Sequence, residues 1–150
     1  MGVHPLNEIV QGINPTNGWL QNCNATPFTM AGEFSPKKED FPNYMAPDFQ
    51  NFRGIHAVRV LENQTDFTLE KLHDAAYDSY LPAFELYIPI LIADYKKLGV
   101  SDKKLKDQLK EPIELLRNWD LRFSEESVET SLAVYWGHEM MQMTRDIEIG

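Results

Sequence analysis

The chain has 150 residues, 43% of them hydrophobic, and a net charge of −9 at pH 7. That suits one domain, or part of a larger one, with an ordinary core. The acidic balance speaks against nucleic acid, which needs a basic face, and the longest apolar stretch, Leu86 to Ala93, contains Pro89 and is too short to span a bilayer.

Residues 1–7 read as a linker or lead-in strand. Met1 is followed by Gly-Val-His-Pro, not by the basic and then apolar run of a signal peptide. His4, near the terminus, is expected to be simply exposed. Residues 8–24 read as a β-hairpin. Glu8 to Ile13 is the first strand and Trp19 to Cys23 the second. Asn14-Pro15 and Asn17-Gly18 supply the reversal. Cys23 is the only cysteine, so no intramolecular disulfide or Cys-based metal site can form.

The hairpin is rich in side-chain amides, and its second strand ends in Asn22-Cys23-Asn24. Two readings stand side by side. The amides can cap turns and satisfy loop backbone. Alternatively, one of them is a neutral donor placed to stabilise an oxyanion.

Residues 25–52 form a long segment with Pro27, Pro36, Pro42 and Pro47, and with Phe28, Phe34, Phe41, Tyr44, Phe49 and Phe52 between them. The prolines exclude helix or central strand over most of it. The aromatics argue for an ordered loop, whether as anchors or as the lining of an acyl pocket. Asp40 and Asp48 are too few for a calcium site.

From 53 to 146 the pattern is helical. Thr68, Ser101 and Ser124 are N-cap candidates, with staple pairs Phe67/Leu72, Val100/Leu105 and Phe123/Val128. Leu69, Leu72, Ala76 and Tyr80 share one face. Pro89 is placed at the first position of a helix ending at Leu98, with Gly99 just past its end. Pro112 is expected to kink or restart the helix from Ser101. The last helix carries Val128, Leu132, Tyr135, Trp136, Met140 and Met143, expected to be mostly core. No zinc-protease, serine-hydrolase or phosphate-loop motif occurs.

Three blocks, in order, carry a resemblance. The first is Asn14-Pro-Thr-Asn-Gly18-Trp-Leu-Gln-Asn22-Cys-Asn24-Ala-Thr-Pro27. The second is Arg53-Gly-Ile-His-Ala-Val-Arg59-Val-Leu-Glu62. The third is Leu115-Leu116-Arg117-Asn118-Trp119-Asp120. Together, over residues 4 to 143, they resemble the β chain of the penicillin acylase family of N-terminal-nucleophile hydrolases. The resemblance implies an α+β piece of the αββα fold, with hairpin 8–24, loop 25–52 and helical region 53–146. It implies that Asn24 donates its side-chain amide to the oxyanion hole, that Arg53 stands near the active site, and that Arg59 is structural.

It further implies an amidohydrolase whose nucleophile is an N-terminal Ser with its own α-amine as base. The family's Ser-Asn opening is absent from this sequence. The chain alone is therefore expected to be inactive, and to be an internal piece of a longer precursor. Its partners would be the α chain, the rest of the β chain and a small acyl-amide substrate. The family places it in the periplasm or outside the cell. No cofactor is implied beyond the structural calcium that some members bind. The alternative is a stand-alone, non-catalytic helical interaction module.

Overall fold

A computed structural model describes residues 2–62 and 64–145. The chain divides into two compact units, Met1–Asp78 and Ser79–Gly150. In the first, short 3₁₀ turns at Leu6–Glu8, Pro27–Thr29, Gly32–Phe34 and Lys38–Asp40 precede helices α1 (Phe52–Leu61) and α2 (Leu69–Ala76). The second holds α3 (Pro82–Lys97), α4 (Lys103–Asn118) and α5 (Val128–Thr144). Residue Asp146, the expected end of the helical region, lies outside the described residues.

The expected α+β fold with an N-terminal hairpin is corrected. Among the described residues the only β pairing is an isolated bridge between Tyr80 and Arg122, and the chain is helical. The turn signal at 14–18 is real, since Gly18 N–H donates to the Pro15 carbonyl at 2.9 Å. But the left-handed residues are Asn14 (φ 46°) and Gly18 (φ 79°), on either side of the turn's centre. A two-residue hairpin loop of the favoured type needs positive φ at both central positions.

The second expected strand is also already engaged. Gln21 N–H donates to the Met30 carbonyl at 2.8 Å, and Gln21 Nε2 to the Thr29 carbonyl at 3.2 Å. Asn17 Nδ2 donates to the Ala31 carbonyl at 2.9 Å. The Met30 methyl sits 2.1 Å from where a Gly12 Cβ would be, in the first expected strand. A lone two-stranded ribbon is marginal, and here the 27–34 turns take its place as partner.

In the first unit, Thr68 caps α2 as expected, accepting from Lys71 N–H at 3.2 Å. Leu69 and Leu72, on its apolar face, are exposed. Glu70, also exposed, has a pKa below the ordinary Glu value, first through its own backbone N–H and then through the Thr68 hydroxyl.

In the second unit the core is Ile88, Leu116, Trp119 and Ala133, flanked by Leu81, Phe84, Leu91 and Leu132. The Phe84 and Trp119 rings lie 5.3 Å apart, and Trp119 Nε1 donates to the Arg122 carbonyl at 2.9 Å. Leu116 and Trp119 of the third sequence block are thus core. Gly137 of α5 faces the Phe84 ring, where a Cβ would make ordinary van der Waals contact at 3.5 Å. The remaining band on α5 is less buried than expected, with Val128, Tyr135 and Met143 exposed.

Five local expectations in this unit are corrected. Pro82, not Pro89, opens α3, and Pro89 lies inside it. Pro112 lies inside α4 without ending it. An internal Pro leaves the carbonyl four residues back without a donor. Ser101 falls in a 3₁₀ turn, Val100–Asp102, before α4, and there Asp102 Oδ2 accepts from Gly99 N–H at 3.3 Å. Gly99 has negative φ (−86°), so it is not a left-handed helix terminator. Ser127 rather than Ser124 caps α5, accepting from Thr130 N–H at 3.0 Å.

Two predictions follow from the caps. Ser127→Ala should lower the stability of this helical unit by about 1 kcal/mol, whereas Ser124→Ala should leave thermal unfolding nearly unchanged. The charged form of Glu70 is the one the start of α2 favours. Its contribution is full above the ordinary Glu pKa and fades as pH falls through the lowered native value. Acidification should therefore lower the amide-exchange protection factors of residues 69–72, measured against the intrinsic rate at each pH, and Glu70→Gln should remove that change.

Candidate active site

The amide cluster separates cleanly by what each side chain touches. Asn17 and Gln21 hold the 29–31 turns, as above. Asn22 Oδ1 accepts from Asn24 N–H at 3.0 Å, closing an Asx turn. These follow the structural reading. Asn24 shares the turn through its backbone, but its side chain is used differently. It is exposed, its backbone is left-handed (φ 53°), and among the described residues its Nδ2 donates to nothing.

Its Oδ1 is occupied. Arg53 Nη2 donates to it at 3.3 Å. Arginine carries five donors and no acceptor, so its partner atom must be the amide oxygen. That fixes which end of the Asn24 amide is which. The NH₂ is left on the far side, facing away from the guanidinium. A donor bonded to the carbonyl oxygen also polarises the amide and strengthens its N–H as a donor. Among the described residues Arg53 forms no ion pair with Glu62 or Asp48, the surface alternative for this residue.

Arg53 is presented by the first turn of α1. Asn51 caps that turn, its Oδ1 accepting from Gly54 N–H at 2.9 Å. Its Nδ2 donates to the Cys23 carbonyl at 3.0 Å and the Asn24 carbonyl at 3.2 Å. Nearby, Thr26 N–H donates to the Phe49 carbonyl at 3.3 Å. Thr26 is buried and its hydroxyl accepts from Phe28 N–H. Gly54 is buried against the same loop; a Cβ there would lie 3.2 Å from Ala25 Cβ and 2.6 Å from Gln50 Oε1. Residues 23–26 are thus laid along residues 49–54. Asn51 was absent from the sequence reading. The signal was available: Asn directly before an apolar-periodic run is a favoured N-cap.

Other sequence candidates lie elsewhere. Phe28, Met45 and Phe49 border a cleft of about 300 Å³ beside Thr26 and Gln50. His4 is not merely exposed: its Nδ1 bonds Glu8 at 2.9 Å and its Nε2 bonds the Tyr44 hydroxyl. Asp40 closes a 3₁₀ turn by accepting from Lys37 N–H at 2.9 Å. Among the described residues no three His, Cys, Asp or Glu side chains gather closely enough to hold a metal.

The family model for penicillin amidase matches residues 1–150. The chain belongs to the penicillin amidase family, and at the level of the family its chemistry is amide hydrolysis. Within that family assignment, the packing of Gly54 on Ala25 is a direct structural demand. Gly54→Val should lower stability by about 1–3 kcal/mol through overpacking, read by thermal unfolding. An unchanged midpoint would mean that α1 does not press on residue 25.

Proposed function

We propose that this chain is part of an amidohydrolase that cleaves the amide bond of a small acylated substrate, with Asn24 as an oxyanion donor and Arg53 as the residue that orients it. The nucleophile is an N-terminal Ser from polypeptide outside residues 1–150, released by self-cleavage of a precursor. Its hydroxyl oxygen attacks the substrate carbonyl carbon, and its α-amine takes the hydroxyl proton. Charge then develops on the carbonyl oxygen. The Asn24 NH₂ meets that charge without adding a titrating group. Collapse of the intermediate expels the amine, which takes up the proton, and water releases the acyl group from Ser. The remainder of the precursor is the partner of this segment, and the periplasm or the cell exterior is its place.

The observation that carries this reading is the Arg53–Asn24 contact. It holds the amide by its oxygen and leaves the NH₂ outward. An Asn used only to cap a turn has no need of such an arrangement. The other reading, a non-catalytic interaction module, draws on the exposed Tyr135, Met141 and Met143 of α5.

The two readings part on one variant. In the acylase that carries this segment, Asn24→Ala should lower kcat by about 10²–10³, with little change in KM or melting temperature. Turnover within a few-fold of wild type would remove Asn24 from the reaction.

A further inference from the structure

We infer that Asn51 is a positioning residue for the Asn24 amide, acting as a clamp between α1 and the loop that carries the donor. The inference rests on the role of Asn24 proposed above. Asn51 is bonded at both ends of its side chain. Its Oδ1 holds Gly54 N–H, in the same helical turn as Arg53. Its Nδ2 holds the carbonyls of Cys23 and Asn24. A side-chain amide has two N–H donors, and here each has its own acceptor.

The helix cap alone does not require Asn. Ser, Thr or Asp would supply the acceptor as well. What Asn adds is the NH₂, and that end points to the loop. Two consecutive carbonyls converge on it, an unusual arrangement, since successive carbonyls of an extended chain point in opposite directions. The left-handed backbone of Asn24 (φ 53°) turns them to one side. Asn22 holds the same residue from its N–H side at 3.0 Å. The strained residue is therefore fixed from both sides, as such conformations require.

The consequence is geometric. Arg53 fixes the direction of the Asn24 amide, and Asn51 fixes the distance between the backbones from which both side chains reach. A shift of the loop against α1 would break the 3.3 Å contact and let the amide rotate. Catalytic groups misplaced by about 1 Å can lose about 10²-fold in rate.

The test uses two variants that keep the cap and lose the clamp, made in the acylase that carries this segment. Asn51→Asp retains the acceptor for Gly54 N–H but cannot donate to the loop carbonyls. Asn51→Ser retains a cap and cannot reach them. Both should keep a melting temperature close to wild type and a KM that moves little. Both should lose at least about tenfold in kcat. Wild-type kcat in both, with Asn24→Ala inactive, would overturn the inference and leave Asn51 a plain helix cap. So would a large loss of melting temperature in both, which would make the role structural. If Asn24→Ala itself keeps full turnover, the reading beneath falls, whatever the Asn51 variants do.

Discussion

A guanidinium can only donate, and the site is built on what that restricts. Bonded to Arg53, the Asn24 amide has one orientation, with its oxygen inward and its NH₂ outward. The geometry depends on two stretches far apart in sequence lying side by side, residues 23–26 and 49–54. Their contact is made by backbone, by side-chain amides and by the absence of a side chain at Gly54. No charge pair is involved, so neither salt nor pH change over the ordinary range should loosen it directly.

How much of this was legible in the sequence differs from residue to residue. Asn24 and Arg53 were singled out by their blocks, not by any spacing rule. Nothing in a separation of 29 residues tells that the two side chains touch. Among the amides, the sequence could not divide turn formers from a free donor, because Asn17, Asn22 and Asn24 offer the same groups. Only the partners divide them. Asn51 was missed because the helix was started one residue too late, at Arg53 rather than Phe52. Read as an N-cap, it would still have shown only its acceptor end. The donor end is a tertiary fact.

The fold was legible where local chemistry decides and illegible where packing does. The Thr68 cap formed as read, and so did the turn at 15–18. The strands beside that turn did not pair, since the polar groups of Gln21 and Asn17 found the 29–31 carbonyls instead. Pro89 does not open a helix and Pro112 does not restart one. Pro89 follows buried Ile88 and Pro112 precedes buried Ile113, so core packing holds both helices through the missing bond. The exposed face of α2 and the exposed part of α5 show the converse. An apolar pattern marks a face fit for burial, and it does not say what buries it.

The most direct measurement compares two ligands of the acylase that carries this segment, in wild type and in Asn24→Ala. One is a tetrahedral phosphonate that mimics the charged intermediate, and the other is the planar amide substrate. If the Asn24 NH₂ meets developing charge, the variant loses about 10²–10³ in affinity for the phosphonate and little for the amide. Equal losses for both ligands, or none, would contradict the account.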